Sequence, residues 1–436
     1  MRKVFVQSFG CRASQADGAA IEGDLREHGL EPVRDPSLAD LVVVNTCTIT
    51  HSADVDARRV IRGLHRDNPQ AQILVTGCYA QRAPEELVNI EGVRWVVGNS
   101  HKTGIASLVL GKDVLDENET YHGQVLVTPF TADSQFTATP VRDIREDRTR
   151  PNLKIQDGCS NRCSFCIIPA VRGRSRSAPI SSILEQMRHL ATRYCEIVLS
   201  GINLGRWGRD LPGHLRFVDL LRTVLAETEV RRLRISSVEP MDWNSDLLEL
   251  VANEGRIAKH VHLPLQSGSD TVLKRMFRKY RTHHYASRLK LARELMPDAA
   301  VGADVMTGFP GETDTEFAET VKFIENQPFT YLHVFTYSER LGTAAATMGQ
   351  AVPVEIRRER TKVLRELSAR KNLDFRRRML GQTLSVVTLE EPRMALTTNF
   401  LRVRMTEARQ PNQMVDLTMG TVTDNGLREQ ALLPVI

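Results

Sequence analysis

The sequence has no apolar run approaching the roughly eighteen residues that a membrane-spanning helix needs. That excludes a helical membrane protein. Its first residues, Met1 to Gln7, hold too short an apolar stretch for a secretory signal and read as a strand. A cytoplasmic location without membrane contact is therefore expected. Strong net charge is lacking too: 58 Lys and Arg stand against 53 Asp and Glu, a net of +5. So mild an excess permits a nucleic-acid partner without demanding one. A disulfide framework does not suit such a chain, so cysteines among its seven read as metal ligands rather than staples. A fourth cysteine is also missing just behind the densest cysteine group, which ends at Cys166.

What is present is ordinary in bulk. Hydrophobic residues make up 41% and charged residues 25%, as in a globular protein, and 436 residues suffice for two or three domains. The informative stretch is Lys154-Ile155-Gln156-Asp157-Gly158-Cys159-Ser160-Asn161-Arg162-Cys163-Ser164-Phe165-Cys166. Its cysteines are spaced C-x3-C-x2-C. Structural zinc wants four closed ligands, usually as two separated pairs. Three thiolates on one loop suit an iron–sulfur cube better, and they leave one iron open to a further ligand. The competing reading is a structural cysteine knot or a partial zinc site.

Three more cysteines share a second pattern. Apolar runs Val4 to Phe9, Leu41 to Val44 and Ile73 to Val75 are followed by Gly10-Cys11, Asn45-Thr46-Cys47 and Thr76-Gly77-Cys78. Each cysteine precedes a helix-like segment; Ser14 to Asp17 can cap the first. Successive βα units run their strands parallel, so the three cysteines meet on one rim. They can hold a second cube there, again with an open iron. Small buried cysteines are the plainer alternative. His51, four residues after Cys47, could be a ligand, but a polar helix start explains it as well.

The loop at Cys159, Cys163 and Cys166, with Phe165 before the last cysteine, resembles that of the radical S-adenosylmethionine (SAM) enzymes. Two cysteine trios in this order, with Asn45-Thr46-Cys47-Thr48 and Thr76-Gly77-Cys78-Tyr79-Ala80-Gln81, resemble the methylthiotransferase family of those enzymes. One departure is Ser14, where the family commonly has Asn; serine can still hydrogen-bond there. The resemblance implies two [4Fe-4S] clusters: a radical cluster on Cys159, Cys163 and Cys166, and an auxiliary one on Cys11, Cys47 and Cys78. SAM would chelate the open iron of the first and be cleaved by one electron to a 5′-deoxyadenosyl radical.

From Leu153 the sequence alternates strands and helices six times. Expected strands are Leu153–Gln156, Glu196–Leu199, Arg232–Ser236, His260–Leu265, Ala300–Met306 and Tyr331–Phe335. Six units are too few for a closed eight-stranded barrel; by resemblance they form an open partial (βα)6 barrel. The ends of such strands carry chemistry. Here they are polar and glycine-rich, with Ser200, Gly201, Asn203, Ser236, Glu239, Gln266, Gly308 and Gly311. With Phe165, the resemblance places these near the adenosyl ligand. A plain turn is the alternative at each, and Thr313 with Glu316 reads as a capping box. Cys195 starts a strand and reads as core.

Two basic features remain. Arg172, Arg174 and Arg176 follow the radical loop and could hold a phosphate or carboxylate. From Arg357 to Arg378, ten Lys or Arg stand against three acids, 10 − 3 = +7 net, on an expected amphipathic helix seamed by Val363, Leu364, Leu367 and Leu373. That charge favours RNA contact. After it, short alternating runs separated by turns suggest a small β-barrel, with Thr398-Asn399-Phe400-Leu401-Arg402-Val403 resembling the TRAM module of the family.

The expected architecture is α/β, in four spans. Residues 1–110 form an N-terminal parallel βα domain for the auxiliary cluster, and 111–140 a connector. Residues 141–378 form the radical SAM partial barrel with its basic helix, and 379–436 a TRAM-like β-barrel. The family implies a tRNA methylthiotransferase modifying an adenosine beside the anticodon, served by an electron donor such as flavodoxin or ferredoxin and by a sulfur donor. The loop Arg-Gly-Arg-Ser-Arg-Ser resembles the branch acting on threonylcarbamoyladenosine. The isopentenyladenosine and ribosomal-protein branches, with a longer acidic loop, are the rival enzyme readings. A two-cluster electron carrier or RNA-binding protein without catalysis is the rival of another class.

Overall fold

The computed structural model describes residues 2–111, 124–131, 136 and 149–431. Most of the expected connector, and residues 141–148 at the start of the next span, lie outside the described residues.

The first sheet explains the first three cysteines. Strands β1 (Lys3–Ser8), β2 (Glu31–Pro32), β3 (Leu41–Thr46), β4 (Gln72–Gly77), β5 (Val93–Gly98) and β6 (Gln124–Leu126) lie in the order β2-β1-β3-β4-β5-β6, and every pairing is parallel. β3 is buried along its whole length, as expected of a parallel strand covered on both faces. Val42, Val44, Ile73 and Val75 pack on helix His51–Asp67 through Ala57 and Ile61. The alternate residues Val43 and Leu74 pack with Ile21 and Leu25 of helix Arg12–Glu27. Residues Gln124–Leu126, in the span expected as connector, add the edge strand β6. The helix expected to be capped at Ser14 begins three residues earlier, with Cys11 as its N-cap. Ser14 and Asp17 instead face inward and are buried, because polar partners await them from the next domain.

The second unit is the open barrel. β7 (Asn152–Asp157), β9 (Glu196–Gly201), β10 (Arg232–Ile235), β11 (His260–His262), β12 (Ala300–Thr307) and β13 (Tyr331–Thr336) are its parallel strands; β8 (Arg176–Ser177) adds antiparallel to β7. An arc β8-β7-β9-β10 meets an arc β11-β12-β13 where Leu233 bridges Ile257. Helices Ile180–Ala191, Phe217–Glu227, Ser245–Asn253, Thr282–Leu295 and Asp314–Asn326 cover the outside, burying a core rich in Leu, Ile and Val. Thr313 and Glu316 form the expected capping box.

The third unit is a closed barrel of β14 (Thr383–Thr388), β15 (Met394–Thr397), β16 (Arg402–Arg404), β17 (Met414–Thr423) and β18 (Gly426–Glu429), in the order β14-β15-β16-β18-β17. It seals the amino-terminal mouth of the open barrel. Phe400, at φ 66, stacks on His260 at the start of β11 with 4.4 Å between ring centroids. Arg234 of β10 donates to the Thr397 and Thr398 carbonyls. Cys195 is buried, and the Asn412 amide oxygen accepts from its backbone N–H at 2.8 Å. Chemistry is therefore left to the opposite, carboxyl-terminal mouth.

Helix Val354–Arg378 joins the last two units. Leu364 and Leu367 are buried as expected, whereas Val363 is exposed. Several of its cations brace the fold, Arg360 and Arg376 most deeply buried among them. Arg360 pairs with Glu312 and Asp314, and buried Arg376 donates to the Thr423 and Asp424 carbonyls. Arg358, Lys362, Arg365, Arg370, Arg377 and Arg378 are exposed.

Candidate active site: two cysteine trios at one domain interface

Cys11 follows β1, Cys47 follows β3 and Cys78 follows β4. The strand order turns between β1 and β3, and the crevice outside such a turn is where open α/β sheets bind ligands. Gly10, at φ +95, presses the first cysteine turn onto the second; a Cβ there would lie 2.6 Å from the Cys47 Cβ and 2.8 Å from its Sγ. Cys47 and Cys78 are buried and Cys11 is exposed. Burial first, then the neighbouring Cys78 and Cys11 sulfurs, push the Cys47 thiol up to about 12. His51 is the first residue of its helix, and its N–H donates to Ser338 Oγ at 2.9 Å.

Cys159, Cys163 and Cys166 stand on the loop after β7, all half-buried. Burial, then the Cys163 and Cys159 sulfurs, push Cys166 up to about 12. Hydrogen-bond donors already surround the other two. The Asn161 N–H and Asn203 Nδ2 reach Cys159 Sγ at 3.4 and 3.5 Å, and Arg278 Nη1 reaches Cys163 Sγ at 3.2 Å. Thiols this hard to ionise need a metal's charge to release their protons. Sulfurs with ready donors suit a thiolate-bound cube. The donor sets therefore fit one [4Fe-4S] cluster each, with one iron lacking a protein ligand.

The expected SAM-facing residues gather at this carboxyl-terminal mouth. Ser200 Oγ, Asn203 Oδ1 and Gln266 Oε1 are buried without a hydrogen-bond partner, as is Tyr337 Oη. Buried polar atoms are rarely left so, and a polar ligand would satisfy them. Gln266 itself holds φ 67. Gly201 lies against Gln156, Ser236 is half-buried, and Glu239 pairs with Arg278. Phe165 meets Phe309 edge-on at 6.5 Å. Gly308 and Gly311 form the turn after β12, and Gly308 is explained by packing: a Cβ would lie 2.2 Å from Arg357 Cγ.

Of the three loop arginines, only two stand near the mouth. Arg174 is exposed and Arg176 is half-buried, its guanidinium over the Phe130 ring. Arg172 corrects the expectation of a substrate contact. It is 1% exposed and turned inward, onto Asp17, Asp157 and Cys78. Its carboxylate partners draw it there, because a buried guanidinium is tolerated only when paired. The positively charged pair Arg172 and Lys154 in turn holds the Asp157 carboxyl well below the usual range against its burial.

Sequence reasoning missed two site residues. Arg278 touches Cys163, and its signal was a basic–aromatic run, Arg278 to Arg281, directly after a barrel turn. Gln156, one position before Asp157, ties the radical loop to β9; its signal was a buried amide inside a strand.

Residues 3–98 match the uncharacterized protein family UPF0004, and residues 153–324 match the radical SAM superfamily. The chain is 37% identical to the threonylcarbamoyladenosine tRNA methylthiotransferase MtaB of Bacillus subtilis, over 89% of this chain and 85% of that protein. With the MtaB of Aquifex aeolicus it shares 34% identity over 95% of this chain and 99% of that one. A tRNA-2-methylthio-N(6)-dimethylallyladenosine synthase of Syntrophobacter fumaroxidans is 35% identical, over 84% of this chain and 80% of the other. In fold, the chain is similar to the radical SAM methyltransferase TsrM of Kitasatospora setae, with TM-score 0.60 at 16% identity, over 79% of this chain and 77% of that one. With cysteine trios on the first sheet and on the barrel, and relatives matching along nearly its whole length, the chain belongs to the radical SAM methylthiotransferase family.

Proposed function

We propose that this enzyme methylthiolates carbon 2 of threonylcarbamoyladenosine at tRNA position 37. The observation that carries the reading is the joining of the two trios by one short helix. Ile167, Ile168 and Val171 pack with Cys78 on one side and with Cys159 and Cys166 on the other. A substrate at the mouth thus lies within reach of both cysteine sets. The clusters, when bound, supply an electron for SAM cleavage and an iron that can carry sulfur. The chain's own part is to hold those thiols, to exclude water and to orient the base. Ser200, Asn203 and Gln266, the buried groups with unpartnered atoms, would receive the adenosyl ligand, with Ser236, Glu239, Gly201, Gly308, Gly311 and Phe165 around it.

Arg174 and Arg176 favour the threonylcarbamoyl substrate over its hydrocarbon counterpart. The threonyl arm ends in a carboxylate, and a charge-assisted pair to arginine is worth about 1.5–3 kcal/mol. An apolar arm would leave a desolvated cation without a partner. The reaction also requires an electron donor such as flavodoxin or ferredoxin and a sulfur donor. No helix among the described residues is long and apolar enough to cross a membrane, which accords with work in the cytoplasm. The test offers purified enzyme two tRNAs, one with each arm, and reads the nucleosides by mass spectrometry. Product from the threonylcarbamoyl tRNA is expected; preference for the isopentenyl tRNA would overturn the substrate assignment.

A further inference from the structure

Arg172 makes more contacts than a structural arginine needs. Its Nε lies 3.2 Å from Cys78 Sγ. Its Nη2 lies 3.2 Å from Ser14 Oγ and 2.9 Å from Asp17 Oδ2, and its Nη1 lies 2.9 Å from Asp157 Oδ1. Asp17 also receives Lys102 at 2.6 Å and Lys154, and Lys154 reaches Asp157 at 3.0 Å. All five side chains are at most 15% exposed. Among the described residues, three cations therefore share two carboxylates, leaving 3 − 2 = one positive charge without a carboxylate. A surplus buried charge is costly unless an anion faces it. Among the described residues, the group beside Arg172 able to become that anion is the sulfur set of Cys11, Cys47 and Cys78.

We propose that Arg172 is a positioning residue that raises the reduction potential of the N-terminal cluster, by donating Nε–H to the Cys78 thiolate and placing the network's unbalanced positive charge against it. Reduction adds an electron to the cluster. A hydrogen bond to a ligand sulfur and a nearby cation both stabilise the reduced state more than the oxidised one. Arg172 also ends helix Ile168–Arg172, which begins two residues after Cys166. The segment that leaves the radical loop is thereby fastened to the other cluster's ligand. Asn99 Nδ2 approaches the same sulfur at 3.5 Å, but it brings no charge.

The inference rests on the two-cluster reading, and the experiment separates their failures. Anaerobically reconstituted enzyme is titrated potentiometrically and followed by electron paramagnetic resonance. The signal that added SAM leaves unchanged belongs to the N-terminal cluster. In Arg172→Gln its midpoint is expected to fall by about 59 mV, a tenfold change in a one-electron equilibrium. Arg172→Lys, which keeps the charge, should fall less. Asp17→Asn, which leaves Arg172 and Cys78 in place and removes a carboxylate, should raise the midpoint. An unchanged midpoint in Arg172→Gln at full iron content overturns the proposal. Where Arg172→Gln does not retain the cluster, an unchanged midpoint in Asp17→Asn overturns it. Unmodified enzyme holding only about four irons, a single cube, would overturn the two-cluster reading instead.

Discussion

The backbone N–H of Asn203 donates to Gln156 Oε1 at 2.6 Å, and the Gln156 amide nitrogen turns the other way. It donates to the Gly158 carbonyl at 2.8 Å and the Asp157 carbonyl at 2.9 Å, and reaches Ser175 Oγ at 2.9 Å. One buried side chain thus clamps the end of β9, the radical loop and the arginine loop. Gln156→Leu removes the clamp and strands several buried polar groups, each at about 1–3 kcal/mol. Iron per chain should fall from about eight toward about four as the radical cube is lost, and SAM cleavage should fall with it. Full iron and normal cleavage in that variant would mean that the loop holds its shape without Gln156.

The two trios should separate by role. Cys47→Ala takes one ligand from the first sheet and leaves the barrel loop untouched. Reductive SAM cleavage without tRNA should continue, while methylthio product disappears. Conversely, replacing Cys159, Cys163 and Cys166 together by Ala should end cleavage and leave about four irons on the chain. Full product from Cys47→Ala would reduce the first trio to packing.

The strand pattern of this fold was legible because parallel strands buried on both faces leave short, dense apolar runs. Five of the six barrel strands hold two or more of Val, Ile and Leu, whereas β11, His260–His262, holds only Val261, and the cysteines follow their strands because the chemistry sits on strand ends. What escaped was held by long-range pairing. Strand β6 is three residues long with no apolar alternation to mark it, and it exists because β5 offers an open edge. Arg172 looked like its exposed neighbour Arg174, since loop arginines usually face water. Its partner Asp17 lies 155 residues away in the chain, and only folding brings them together. Phe400 likewise reads as one more apolar position until β11 presents His260 to it.

Glu196 makes acid stability testable. It is fully buried between Arg234 and Arg150, with Arg232 nearby. Burial opposes its ionisation, but Arg234 above all, then Arg150 and Arg232, lower its carboxyl from 4.5 to about 2. A carboxylate lowered on folding stabilises the fold above its unfolded value and stops doing so as pH falls through the folded one. The window here runs from about 4.5 down to about 2, and the contribution above it is on the order of 3 kcal/mol. Urea unfolding at pH 7 and at pH 3 should show a steeper loss for the unmodified protein than for Glu196→Gln, which is less stable at neutral pH. Equal slopes would mean that other carboxylates set the acid limit.

The helix Val354–Arg378 separates two kinds of arginine that look alike in sequence. Arg376 is 7% exposed and donates to carbonyls of the β17–β18 turn. Arg377 and Arg378 beside it are exposed, and so is Arg370 one face away. Arg377 lies 3.6 Å from Asp374 and Arg370 lies 3.7 Å from Glu325. Exposed pairs of that kind are worth little, so both arginines can turn to a phosphate. Each phosphate contact contributes about one counterion to the salt dependence of RNA binding. Replacing Arg370, Arg377 and Arg378 together by Ala should therefore lower the slope of log K against log salt by about 2–3 and weaken tRNA binding at every salt concentration. Arg376→Ala should do the reverse. It leaves buried carbonyls unpaired and loosens the junction with the small barrel, at about 1–3 kcal/mol of stability, with the slope unchanged. Filter binding of tRNA across a salt series, beside urea unfolding of each variant, distinguishes the two. A slope that moves with Arg376 and not with its neighbours would place the RNA on the other side of the helix.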